Sequence, residues 1–206
     1  MCTTLVAAAP PQSLAAPAAA RPRRLLVLGD SLSAEYGLER GSGWVALLDQ
    51  RLHAEKKPFE VINASISGET TSGGRSRLPA LLKQHQPSVV LIELGANDAL
   101  RGLPLPHTRD NLDAMTIASM ASGARVLLIG MQLPPNYGPQ YTREFAAMFG
   151  EVALSHKAAL VPFLLQGVAD RADADSLFQA DRIHPRAEAH PTLLNNVWPR
   201  LLPLLG

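Results

Sequence analysis

Leu25-Leu26-Val27-Leu28-Gly29-Asp30-Ser31-Leu32 is the stretch whose reading decides the fold. Four aliphatic residues run without a break and stop at Gly29-Asp30-Ser31. A short apolar run closed by turn residues reads as a buried strand. Ser31 is left at its C-terminal end, the edge at which open parallel sheets bind ligands. On this stretch alone two roles stand level: Ser31 as the N-cap of a following helix, or as a nucleophile.

The rest of the chain repeats the pattern. Trp44, Leu47, Leu48, Arg51 and Leu52 follow at helical spacing. Phe59–Ile62 reads as a second strand, residues 63–74 as a loop of small residues, and Arg77–His85 as a helix. Val89–Leu94 is the third strand, and Leu103–Pro106 a loop. Leu112, Met115 and Met120 mark a weaker helix closed by Gly123. Val126–Ile129 is the fourth strand; Phe145, Met148, Phe149 and Val152 form an amphipathic helix. Leu160–Leu165 is the fifth strand, placed at an edge because Pro162 cannot donate to a ladder. Leu194, Val197, Trp198 and Leu201 define the last helix. Continuous apolar strands alternating with helices predict an α/β fold. Right-handed crossovers make it a three-layer α/β/α sandwich with a flavodoxin-like five-stranded parallel sheet, order 2-1-3-4-5.

Composition narrows the function. The chain has 206 residues and a net charge of +1, with no long run of one sign. That gives no electrostatic case for nucleic acid or an anionic membrane. No run is long enough for a membrane span. The single cysteine, Cys2, excludes an intrachain disulfide and Cys-based zinc sites. Residues 1–22 form an Ala/Pro-rich head ending near Ala18-Ala19-Ala20, and 23–206 one domain. The head reads either as a truncated export signal or as a disordered tail, with export favoured. The chain is therefore expected in the periplasm or secreted; the cytoplasm stays open.

Polar clusters end the first three strands: Gly29-Asp30-Ser31, then the stretch from Asn63 through Gly68 to Thr71, then Gly95-Ala96-Asn97-Asp98. A fourth, Asp181-Arg182-Ile183-His184, follows the fifth strand. Acyl transfer by serine needs a hydroxyl, a base, a carboxylate to orient the base, and oxyanion donors. Taken singly, each residue has a plainer structural role, Asp181 with His184 as a loop-closing hydrogen bond for instance. Asp30 and Asp98 read as loop anchors. His53 and His85 read as solvated, His107 and His156 show no partner pattern, and His190 lies only six residues past His184. Asp170, Asp173 and Asp175 lack the spacing of a calcium loop. No phosphate-binding loop and no Gly-x-Ser-x-Gly elbow is present.

Together the four clusters resemble the four blocks of the SGNH, or GDSL, hydrolases, from about Arg24 to the C-terminus. Asn63–Thr71 and Leu133–Gly138 are similar to the bacterial thioesterase I/protease I/lysophospholipase L1 group, which includes arylesterases. The resemblance implies a serine hydrolase of acyl esters and thioesters, with lipid metabolism as its setting. It makes Ser31 the nucleophile, His184 the base and Asp181 its orienter. The backbone N–H groups of Ser31 and Gly68 and the side chain of Asn97 become the oxyanion hole. Arg182 departs from the pattern, since many relatives have glycine there. Leu100, Leu103, Leu105, Pro134 and Tyr137 are candidates for an acyl groove. No metal or cofactor is expected; the partner is a small acyl ester or thioester, and the chain is expected to be a monomer. The alternative is a non-catalytic binder of acylated ligands in the same cleft.

Overall fold

A computed structural model describes residues 23–206; the head, 1–22, with its export reading, lies outside the described residues. Five strands, β1 (Arg23–Gly29), β2 (Phe59–Asn63), β3 (Val89–Glu93), β4 (Arg125–Ile129) and β5 (Ala159–Val161), form one sheet in the order β2-β1-β3-β4-β5. All four pairings are parallel. The expected sandwich and strand order are therefore present. The helices are α1 (Trp44–Ala54), α2 (Thr71–His85), α3 (Ala96–Leu100), α4 (Leu105–Ala121), α5 (Pro139–His156) and α6 (His190–Leu201). α1 packs with α6, α2 with α4, and α4 with α5.

Burial explains the strands. Leu25–Leu28 and Val90–Ile92 are fully inaccessible to solvent, which suits strands covered on both faces. The α5 stripe Phe145, Met148, Phe149 and Val152 is buried as its spacing predicts. Phe145 and Phe149 meet edge to face at 5.3 Å. The Arg51 guanidinium lies 4.0 Å from the Trp198 ring centroid and helps join α1 to α6. No helix among the described residues is long and apolar enough to cross a membrane.

Four local expectations are corrected. The fifth strand stops at Val161 rather than running to Leu165. Pro162 ends the ladder, and the chain then folds under β4, where the Leu164 N–H donates to Gly130 O at 2.9 Å. Phe163 and Leu164 are buried there without being strand. β5 does lie at the sheet edge. The small-residue loop ends at Thr70, whose hydroxyl caps α2 by accepting from the Gly73 N–H, so the helix begins before Arg77. Leu105 and Pro106 belong to α4, because proline in a first helical turn removes only an N–H that has no helical partner. No helix starts at Ser31: residues 31–37 are successive turns, and α1 begins only at Trp44.

Gly130 is the tightest point of the β4–β5 edge. A Cβ there would stand 2.5 Å from Pro162 O and 3.1 Å from Val161 O, both backbone atoms. Gly130→Ala is expected to lower stability by about 1–3 kcal/mol, the usual range for overpacking. Urea denaturation measures it; an unchanged midpoint would contradict this packing.

Candidate functional site

The strand ends bring three of the four clusters to one edge of the sheet. Leaving β1, the chain turns sharply, and Ala34 N–H donates to Asp30 O at 3.0 Å. Asp30, not Ser31, is the local cap: its Oδ1 accepts from the Leu32 N–H at 3.0 Å. The Ser31 hydroxyl is thus left for another partner. The neighbouring exits clamp this turn. Asn63 at the end of β2 donates to Ser33 O at 2.8 Å, and Glu93 at the end of β3 accepts from Ser33 Oγ at 2.7 Å. Gly29 is required by the same crowding, since a Cβ would sit 2.7 Å from Ser33 Oγ and 2.9 Å from Glu93 Oε2.

That hydroxyl meets His184. Ser31 Oγ and His184 Nε2 are 2.8 Å apart, and His184 Nδ1 is 2.7 Å from Asp181 Oδ2. An ionised carboxylate can only accept, so Nδ1 carries the proton and Nε2 accepts from the serine. Asp181 Oδ1 also accepts the N–H groups of Ile183 (2.9 Å) and His184 (3.0 Å). Desolvation pushes the Asp181 carboxyl up, but those N–H groups and the His184 side chain outweigh it and hold its pKa at about 2. The Tyr36 ring lies against the imidazole, centroids 4.3 Å apart.

Gly68 and Asn97 face the same turn. The Ile66 N–H donates to Gly29 O at 3.0 Å, which seats the loop of Gly68 beside β1. Gly68 has φ +77°, a region that favours glycine. Its carbonyl accepts from Arg101 at 2.9 Å. Among the described residues, no protein acceptor takes the N–H of Ser31 or of Gly68. Asn97 lies in the first turn of α3 and gives its side-chain N–H to Asp30 Oδ2 at 3.0 Å. Asp98 anchors its loop as expected: it accepts the Thr71 N–H (2.8 Å) and hydroxyl, fixing the start of α2. The arrangement offers an aligned hydroxyl, a neutral imidazole acceptor and donors near them, the parts that acyl transfer needs.

Several contributors escaped the sequence reading. Glu93 is fully buried beneath the turn, and burial, then the charge of Asp30, pushes its carboxyl well above the usual carboxylate range. The signal was available: a carboxylate inside an otherwise apolar run is rare unless it has a task. Burial also raises Asp30, to about 6, against the pull of the Leu32 N–H. His190 is buried, its pKa lowered by desolvation, and its Nδ1 accepts the first N–H of α1, from Trp44, at 3.0 Å. His156 pairs with Asp113 at 2.6 Å and joins α5 to α4. Asp173 pairs with Arg171, and Asp170 accepts the Gly167 N–H.

Two of the five groove candidates border cavities, one each. Leu103 borders a cavity of about 310 Å³ with Ser72, Arg75 and His107. Leu105 borders another of about 460 Å³ between α4 and α5. Leu100, Leu103 and Tyr137 are each more than a third exposed.

Residues 27–191 match the profile of the GDSL-like lipase/acylhydrolase family. The esterase TesA of Pseudomonas aeruginosa is 53% identical over 88% of this chain and 89% of its own. Thioesterase 1/protease 1/lysophospholipase L1 of Escherichia coli is 40% identical over 88% of this chain and 85% of its own. A crystal structure of TesA superposes with a TM-score of 0.85 at 52% identity, covering 88% of this chain and 99% of that one.

The lowered Asp181 pKa carries a pH signature. A carboxyl whose folded pKa lies below its unfolded value stabilises the fold fully above the unfolded value, near 3.8, and loses that contribution as pH falls through about 2. Wild type is therefore expected to melt above Asp181→Asn at pH 6. The gap should narrow between about pH 4 and pH 2. Parallel thermal melts test it, and a gap constant to pH 2 would remove the charge from the explanation.

Proposed function

The chain belongs to the GDSL-like lipase/acylhydrolase family, a family of ester hydrolases, and on that premise we propose that it cleaves acyl esters and thioesters through Ser31, His184 and Asp181. The observation that carries the reading is the unbroken hydrogen-bonded line from Asp181 through His184 to Ser31. Ser31 Oγ attacks the acyl carbonyl as His184 Nε2 takes its proton. The oxyanion that forms accepts from the N–H groups of Ser31 and Gly68 and from the Asn97 amide. His184 returns the proton to the departing alkoxide or thiolate, leaving acyl-Ser31. Water, deprotonated by the same imidazole, then releases the acid and regenerates the serine. Asp181 remains ionised throughout and holds the Nδ1–H tautomer.

The names of the relatives suggest acyl thioesters, lysophospholipids and simple esters as substrates. Leu100, Leu103, Leu105, Pro134 and Tyr137 form an apolar rim for the acyl chain, as an open surface rather than one enclosed slot. The export reading of residues 1–22 belongs to the same proposal; N-terminal sequencing of protein from the periplasm and medium tests it.

A fluorophosphonate probe is expected to label wild type and not Ser31→Ala, while p-nitrophenyl ester hydrolysis by that variant falls to background. Labelling that survives the substitution would overturn the nucleophile assignment. Asn97→Ala should lower kcat by about 10²–10³ with KM little changed, the effect of losing one oxyanion donor. A rise in KM alone would instead make Asn97 a substrate-binding group. Activity across a series of acyl chain lengths tests the rim, and no dependence on length would dismiss it.

A further inference from the structure

Asn97 is an asparagine whose orientation matters. Its planar amide carries two N–H donors on one side and a carbonyl oxygen on the other. Turned by 180°, it would present the oxygen, and an acceptor facing a developing oxyanion repels it. Burial of the neighbours does not by itself choose between the two orientations. A carboxylate does, because it accepts and never donates.

Asp30 is such a carboxylate. Its Oδ2 accepts from Asn97 Nδ2 at 3.0 Å, while its Oδ1 is engaged by the Leu32 N–H at 3.0 Å. It is 1% exposed, so little water competes for either oxygen. It is also fixed from below: Glu93 Oε2 accepts the Asp30 N–H at 3.3 Å and the Ser33 hydroxyl at 2.7 Å. Asp30 therefore cannot swing away from Asn97 without breaking the turn that carries Ser31. Holding one N–H of a planar NH₂ group also sets the direction of the other.

We propose that Asp30 is a positioning residue of the hydrolysis. It accepts one Asn97 N–H, excludes the flipped amide and directs the second N–H toward the acyl oxyanion. The proposal rests on the oxyanion role given to Asn97 above. Asp30 does not touch the substrate; its effect on rate passes entirely through Asn97. Glu93 has the supporting part. It is fully buried, and its Oε1 has no hydrogen-bond partner, which a neutral acid tolerates far better than a carboxylate. Burial and the Asp30 charge raise the Glu93 carboxyl well above its usual range, which favours keeping the negative charge of the pair on Asp30, facing Asn97.

A double-mutant cycle tests this on the full chain with a p-nitrophenyl ester. Asp30→Asn keeps the shape but puts an NH₂ group within reach of the Asn97 NH₂, which favours the flip. It is expected to lower kcat by about 10²-fold, the scale of one lost oxyanion donor, with KM within about threefold. In an Asn97→Ala background the same substitution should change kcat less than about threefold, because effects of residues that act as a unit do not multiply. An Asp30→Asn enzyme that keeps wild-type kcat would overturn the proposal. So would a loss that multiplies undiminished on Asn97→Ala, as expected for a purely structural role. An Asn97→Ala enzyme with unchanged kcat would instead overturn the oxyanion reading beneath it. Should Asp30→Asn not fold, the wild-type ¹H–¹⁵N spectrum decides. One Asn97 side-chain proton, assigned by its loss in Asn97→Ala, should lie downfield and exchange slowly with water. Two free-amide protons in rapid exchange would refute the bond.

Discussion

Two carboxyl groups buried under the exit of β1 govern the geometry above them. Asp30 and Glu93 are 1% and 0% exposed, and two charges so placed would be costly. Burial, then the charge of Asp30, raises the Glu93 carboxyl well above its usual range, and burial raises Asp30 to about 6, so the pair resists carrying two charges. The pair exists only because β1 and β3 are neighbours, with Gly29 in register with Glu93. Topology and chemistry are thereby linked. The strand order that buries Leu25–Leu28 also brings the β3 carboxyl under the serine turn, and the side chain missing at Gly29 leaves room for it. The charge on Asp30 is also felt at His184, whose positive form lowers the Asp30 pKa.

Much of this was legible in the chain, and the parts that were not share a cause. Strand identity followed from continuous apolar runs, and their unbroken burial led to a parallel sheet and its order. Ser31, Gly68 and Asn97 stood out as candidates because each sits in a short polar cluster past a strand; Asp181 and His184, well beyond the end of β5, stood out through the family resemblance. Apolarity reports burial, however, not hydrogen bonding. Phe163 and Leu164 are as buried as strand residues but lie past Pro162, where the ladder has ended, so the fifth strand read too long. Pro106 read as part of a loop but occupies a first helical turn, where its missing N–H does no harm. Glu93 was absorbed into the run Val89–Leu94, since a period-based reading has no place for a buried acid. Leu103 and Leu105 lie close in sequence but border separate cavities at the start of α4.

The site is built half on the sheet and half on a loop, and the halves are stabilised differently. Ser31 and Asn97 stand on strand exits next to the core. Asp181 and His184 stand on a segment with no regular structure, held by backbone bonds. Gln179 N–H donates to His184 O at 2.8 Å, Arg186 N–H to Leu177 O at 2.8 Å, and Phe178 bridges Pro185. The Gln179 side chain ties the loop to Tyr36 O at 2.9 Å, on the serine turn itself. His190 closes the far end, since its neutral Nδ1 takes the Trp44 N–H. The loop is thus anchored to the serine turn and to α1.

Within that loop Arg182 shows the constraint most directly. For Asp181 to accept the N–H groups two and three residues ahead and still reach His184 Nδ1, the chain between them must curl tightly. It does so with Arg182 at φ +58°, the left-handed region, which costs a residue with a Cβ roughly 1–2 kcal/mol. Glycine would adopt this conformation without that cost. The arginine side chain recovers little, because its ion pair with Asp175, at 3.5 Å, is more than three-quarters exposed on both sides, and such pairs contribute about 0–1 kcal/mol. The strain persists because releasing it would withdraw two N–H groups from Asp181, raise its pKa and loosen the carboxylate that fixes the His184 tautomer. Backbone strain at Arg182 and proton placement on His184 are therefore two ends of one constraint.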